Sequence, residues 1–154
     1  MKISVIDAGN FKLDGGAMFG VVPKTIWQKL VPADENNLCS WKMRCLLVED
    51  KDKLILIDTG MGDKQAQKWQ NFYFRHGDGN LIKSIREAGY HENEITDVLL
   101  THLHFDHCGG AVCWNSTKEA YKLTFPNAKY WTHSLHWETA NKQKPRKKDT
   151  FLKK

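Results

Sequence analysis

Residues 101–110 read THLHFDHCGG, and six consecutive positions within them hold three of the chain's seven histidines and one carboxylate. Neutral imidazole and carboxylate are the ligand types that suit zinc, iron, manganese or nickel. Side chains alternate in an extended segment, so His102, His104 and Asp106 are expected to share one side. Leu103 and Phe105 then point the other way, into a core that anchors the loop. His107 is offset from that row, which lets a single turn serve two ions. Gly109 and Gly110 follow, where the backbone is expected to bend sharply. One histidine at a strand end is ordinarily a satisfied surface or core group; three with an aspartate at this spacing point to metal binding. Cys108 precedes the glycines as a small residue suited to tight packing, and metal chemistry needs no serine or cysteine nucleophile.

The elements that must carry this segment can be read around it. Residues 95–100 (ITDVLL) form an apolar run that fits a buried strand ending at the histidines. Residues 43–49 and 53–58 are β-rich and joined by Asp50, Lys51 and Asp52, the pattern of a hairpin, and the second run closes on Asp58, Thr59 and Gly60. Residues 80–88 place Leu81, Ile82, Ile85 and Ala88 on one helical face, with Asn80 as N-cap and Gly89 beyond the end. Residues 2–6 read as a short strand, 9–40 as an ordered loop region with one hairpin, 63–76 as partly helical and 129–132 as a strand. Ser134 is expected to cap a helix running to about Asn141. Strands, helix, then buried strand predict a layered α/β (α+β) architecture.

Composition narrows the class. At 154 residues, 41% hydrophobic and 27% charged, the chain suits one soluble globular domain that folds without staples. No apolar run approaches the ~18–20 residues of a membrane span, so no membrane association is expected. The opening MKISVID lacks the layout of a secretory signal, which makes the cytoplasm the expected compartment. Cys39, Cys45, Cys108 and Cys113 form no CxxC pattern and are expected as reduced thiols. Seven of the 23 basic residues and one of the 18 acidic ones fall in residues 141–154, so the rest of the chain carries a net charge of −1. Phe151 is the only aromatic residue in that basic end, which favours a solvated helical face over nucleic-acid binding.

The segment HLHFDH resembles the HxHxDH signature of the metallo-β-lactamase superfamily. The strand LILIDTG, the order helix, acidic loop HENEITD and VLLTHLHFDHCGG, and the amino-terminal GNFKLDGGAMFGVVPKTIW are also similar to that superfamily. The last resembles its branch of acyl-homoserine lactonases and methyl-parathion hydrolases. The resemblance implies half of a four-layer αββα sandwich and a binuclear zinc site. His102 and His104 would bind the first ion, Asp106 and His107 the second, and Asp106 would also steer the nucleophile. Asp58 would orient a ligand histidine by accepting its distal N–H. Met18, Phe19 and Trp27 would line an apolar substrate cleft. The implied activity is hydrolysis of a lactone or similar ester-like small molecule by a metal-bound hydroxide. A thioesterase or nuclease of the same fold is the alternative enzyme; a histidine at His104 argues against the diiron redox members, which carry a carboxylate there.

The superfamily draws three more ligands, a histidine, a bridging aspartate and a last histidine, from its carboxy-terminal half. His133 and His136 come too early for these and suit surface or interhelical packing, while Asp149 sits among lysines. Residues 1–154 therefore read as an amino-terminal half whose basic segment 141–154 begins a helix. The expected partner is a carboxy-terminal half as companion chain, or a second copy, covering an exposed sheet face. A catalytically incompetent metal-binding or dimerisation fragment is the non-enzymatic alternative.

Overall fold

The structure, a computed structural model, describes residues 1–142. The chain opens with β1 (Lys2–Asp14), two short helices, α1 (Gly15–Phe19) and α2 (Lys24–Trp27), and then β2 (Leu38–Asp50) and β3 (Lys53–Ile57). Next come α3 (Gln67–Gln70), with a 3-10 turn over Asn71–Tyr73, then α4 (Leu81–Glu87) and β4 (Asp97–Leu99). After these stand α5 (Phe105–Cys108), a hairpin of β5 (Val112–Trp114) and β6 (Tyr121–Leu123), β7 (Lys129–Trp131) and α6 (Ser134–Asn141). Five strands form one sheet in the order β1-β2-β3-β4-β7. The first three pair antiparallel, whereas β3, β4 and β7 run parallel. The helix expected to begin within residues 141–154 lies outside the described residues, apart from its first two positions.

Residues 9–14, expected as loop, continue β1, and β2 begins at Leu38 rather than 43. The cause is a register break between Asp7 and Asn10, with Gly9 at φ 99°. The buried side chains are Ile6 and Ala8 before the break and Phe11 after it, so the alternation changes parity and the strand looks aperiodic. The hairpin over residues 51–52, the Asn80 cap and the helix after it are present, Asn80 accepting from Lys83 N at 3.0 Å. The helix after β7 is capped by His133, whose Nδ1 accepts from Leu135 N at 3.2 Å, so Ser134 is its first residue and not its cap.

One face of the sheet is covered. Ile6, Cys45, Leu47, Leu56 and Val98 are buried with Leu81 and Ile85 of α4, and with Ile95 and Phe125 from the connections. On the opposite face the register aligns Val5, Leu46, Ile57, Leu99 and Trp131 in one row across all five strands. Four of these are exposed, and Ile57 is half-buried. At the other end of the parallel strands Asp97 ties three of them together, accepting from Trp131 Nε1 at 2.8 Å and pairing with Lys53 at 3.3 Å. No helix among the described residues is long and apolar enough to cross a membrane, and the four cysteines are free thiols.

Candidate functional site

The three parallel strands deliver their carboxyl ends to one edge, where open α/β sheets bind ligands. Asp58 follows β3, Thr101 and His102 follow β4, and His133 follows β7. The strand pairing continues into this edge, with Asp58 N donating to Leu99 O at 2.9 Å and Leu100 N to Trp131 O at 2.8 Å. β1 and the first part of β2 overshoot β3 on the same side, so α1 and α2 stand at this edge as well.

Asp58 is a buried carboxylate on left-handed backbone, φ 60°. It accepts from Thr101 N at 2.9 Å, Thr101 Oγ1 at 2.8 Å and His107 Nδ1 at 2.8 Å. A carboxylate held at low pKa only accepts, so the proton of this last bond sits on Nδ1 and Nε2 faces the cluster. Thr59 N in turn donates to His107 O at 2.7 Å, and Gly110 N to Gly60 O at 2.9 Å, lacing the two loops together. The glycines serve close approach and not left-handed bending: Cys108 and Gly109 both have right-handed backbone, and a Cβ on Gly109 would stand 2.1 Å from Met61 O. A Cβ on Gly110 would stand 2.2 Å from Thr59 O.

The histidine segment is extended only as far as His104, the N-cap of α5. Asp106 and His107 therefore sit on a helical turn, and the simple alternation expected over 102–106 stops there. Phe105 is buried against Phe11, Trp69 and Tyr73, while Leu103 is half-buried. The His102 ring lies 3.9 Å from that of His107 and 4.7 Å from that of His104, centre to centre. His107 Nε2 is 3.4 Å from Asp106 Oδ2. Hydrogen bonds to Asp106 and Asp58 push His107 up to about 9, so it is a cation at neutral pH. Burial would raise both carboxyls, but the bonds from His107, joined at Asp58 by those from Thr101, hold them below the usual range. Burial and the neighbouring His107 and His104 lower His102. Burial pushes the Cys108 thiol up to about 11, which makes it a poor nucleophile.

The donor set suits a divalent ion. Two imidazoles sharing one tetrahedral zinc through nitrogens ~2.0–2.1 Å from it have ring centres roughly 5 Å apart, and His102 and His104 are close to that. Asp106 and the Nε2 of His107 form a second pair whose shared proton an ion would replace. Pairs are in place, but no three His, Cys, Asp or Glu side chains among the described residues form a group that could hold an ion as they stand.

Phe19 and Trp27 stack on each other at 4.7 Å, with Trp27 buried over Gly15, while Met18 is exposed. His133 and His136, expected to pack elsewhere, arrive at the site edge: the His136 ring is 6.2 Å from that of His102. Thr101, which holds Asp58 through its backbone N and its hydroxyl, was not among the expected site residues; the pairing of β3 with β4 is what brings it there. A hollow of about 670 Å³ lies between α4, residues 91–93 and the β5–β6 hairpin, and none of the four clustered residues lines it. The histidines and Asp106 gather at the strand edge and not in this hollow, so the chemistry is placed at the edge.

Residues 44–151 match the Metallo-beta-lactamase superfamily. An N-acyl homoserine lactonase of Bacillus cereus is 26% identical over 126 residues, covering 75% of this chain and 46% of the lactonase. A probable metal-dependent hydrolase from Staphylococcus aureus superposes with a TM-score of 0.88 at 30% identity, over 98% of this chain and 53% of that one. AidC, a dizinc quorum-quenching lactonase solved with an N-acyl homoserine product, gives 0.67 at 29% identity, over 92% and 45%. The chain thus spans about half the length of the relatives it matches.

Proposed function

The chain belongs to the metallo-beta-lactamase superfamily, and from that premise we propose that it carries the metal-binding half of a hydrolase acting on a lactone or similar ester-like small molecule. The observation that carries this reading is the Asp58–His107 bond, which fixes one imidazole nitrogen and leaves the other facing Asp106, beside His102 and His104. His102 and His104 would hold one ion, and Asp106 with His107 a second. Zinc bound there supplies Lewis-acid polarisation of a substrate oxygen and a water acidic enough to ionise near neutral pH. The chain's own groups do the positioning. Thr101 fixes Asp58, Asp58 fixes the His107 tautomer, and the Asp106 carboxylate accepts a hydrogen bond from the attacking water and so aims it. Met18, exposed beside the Phe19–Trp27 stack at the same edge, offers apolar contact to a substrate.

The row from Val5 to Trp131 is an apolar sheet face without cover among the described residues, and it suits a companion half supplying a second sheet and the remaining ligands. Four free thiols suit a reducing compartment such as the cytoplasm.

The test is zinc retention and lactone opening by residues 1–154. Zinc should bind residues 1–154 weakly and exchangeably, and should not bind the His102→Ala, His104→Ala double variant. N-acyl homoserine lactone opening should appear when a companion half is co-expressed. Failure to bind zinc with the companion half co-expressed, at matched folding, would remove the metal reading. Turnover of a thioester or phosphodiester in place of the lactone would move the substrate class.

A further inference from the structure

A neutral imidazole offers an ion the nitrogen that does not carry its proton, so the ring must hold that proton on the other side. We propose that the Thr101 hydroxyl is a positioning group for His102: it accepts the Nδ1 proton of that ring and so leaves Nε2 as the nitrogen presented to an ion. The bond pattern carries this. Thr101 Oγ1 lies 2.8 Å from Asp58 Oδ2, 3.0 Å from Asp58 Oδ1 and 3.1 Å from His102 Nδ1. A hydroxyl has one proton to give and two lone pairs with which to accept. Burial would raise Asp58, but the bonds from His107 and Thr101 hold it ionised, and a carboxylate only accepts. The single hydroxyl proton therefore goes to Asp58. Were it turned to His102, two oxygens with no proton between them would face each other at 2.8 Å. What remains at Oγ1 is a lone pair, so the His102 nitrogen that approaches it brings the proton.

The sheet edge builds the geometry that enforces this. Thr101 N also donates to Asp58 Oδ1, at 2.9 Å, so the residue is held by its backbone and its hydroxyl at once. A β-branched side chain has few χ1 choices, and the one that reaches Asp58 here also reaches the next ring. Burial and the neighbouring His107 and His104 lower His102, so at neutral pH the ring is neutral and carries one proton. An unconstrained neutral imidazole favours the proton on Nε2, the nitrogen an ion would need bare; Thr101 reverses that preference. Among the described residues His102 Nε2 makes no hydrogen bond, which leaves it open to a ligand. One carboxylate thus sets two rings: Asp58 acts on His107 directly at 2.8 Å and on His102 through one hydroxyl. The consequence for zinc rests on the metal reading proposed above; the tautomer does not.

The experiment is NMR of the ring nitrogens in residues 1–154, labelled with ¹⁵N at histidine and kept metal-free with chelator. It is run at pH ~8, where an imidazole of ordinary pKa (~6.5) is neutral. His107, pushed up to about 9, stays doubly protonated there and serves as the internal reference. His102, identified by the signals lost in His102→Gln, should show a protonated Nδ1 and a bare Nε2. Thr101→Val keeps the shape and removes the hydroxyl, and should return His102 to the Nε2–H form. Thr101→Ala, a second hydroxyl-free variant, should do the same, whereas Thr101→Ser should keep Nδ1–H. With a companion half co-expressed, Thr101→Val should weaken Zn²⁺ binding ~10–100-fold and Thr101→Ser should leave it near that of the unaltered chain. An Nε2–H form of His102 in the unaltered chain overturns the inference, and so does Nδ1–H surviving in both hydroxyl-free variants. The expected tautomers in a chain that binds no zinc with its companion present would remove the metal reading and leave the role of the hydroxyl standing.

Discussion

At Asp58 a non-glycine residue occupies left-handed backbone, which costs of order 1–3 kcal/mol where nothing offsets it. The offset is visible: both carboxylate oxygens are engaged, by Thr101 and by His107. Asp58→Ala should therefore lower zinc affinity ~10–100-fold, read by chelator competition, because His107 loses the partner that fixes its tautomer. Unchanged affinity at matched folding would assign Asp58 to the loop backbone alone. The same contacts set a pH dependence in the metal-free chain. His107 is raised to about 9 when folded, above the ~6.5 of a free imidazole. Its contribution is thus fully present below ~6.5 and lost as pH rises through about 9. With chelator present, the urea midpoint should fall between pH ~6 and ~10, and fall less in His107→Gln. Equal falls would place the titrating group elsewhere. Cys45 offers an internal control, because burial pushes its thiol up to about 12 and it should resist alkylation until the chain unfolds.

At the scale of elements, what could be read in the sequence is what local chemistry decides. Asn80 ahead of Leu81, Ile82 and Ile85 announces α4 by cap and period, and Asn80→Ala should cost about 1 kcal/mol in a denaturation curve. The motif residues stood out because their types and spacing are rare, whereas Asp58 was singled out only through the resemblance of its strand-ending turn to the superfamily's. What was hidden depends on pairing. The parity change at Gly9 disguised the second half of β1, and only the partner strand reveals it. The turn into α5 interrupted an alternation that looked continuous from His102 to Asp106. β5 and β6 are three-residue strands with half-buried or exposed side chains, which leave no period to detect. The His136 ring lies near that of His102 because β7 pairs with β4, a proximity no local pattern encodes. Gly109 shows the same limit: its residue type was noticed, but the reason is the Met61 carbonyl where a Cβ would go. Backbone cannot yield as a flexible side chain would, so Gly109→Ala should lower the thermal midpoint and loosen zinc together. A variant with normal stability and affinity would show that the 59–62 loop moves freely from the 107–110 loop.

The whole molecule is asymmetric about its sheet. One face is closed by α4 and the connections, with Ile6, Leu56, Val98 and Ile85 fully buried. The other presents Ile3, Val5, Leu46, Leu99 and Trp131 to solvent, and the register makes four of them a continuous row with half-buried Ile57 between Leu46 and Leu99. Scattered exposed apolar side chains are ordinary, but a row crossing every strand is a contiguous patch of the kind that marks an interface. It is also continuous with the candidate site, since Leu99 and Trp131 are the last residues of β4 and β7 before the edge where His102 and His136 stand. A companion sheet laid on this row would therefore bring its own edge beside the histidines. Without a companion, residues 1–154 should associate with themselves through the same face, giving sedimentation coefficients that rise with concentration. Val5→Lys with Leu99→Lys should suppress that association. These side chains are exposed, so the thermal midpoint of the monomer should change little. Zinc binding should also survive, because neither residue is a donor. Association that persists in the double variant would move the contact to another surface, and loss of folding in it would show that the row is already covered within the chain.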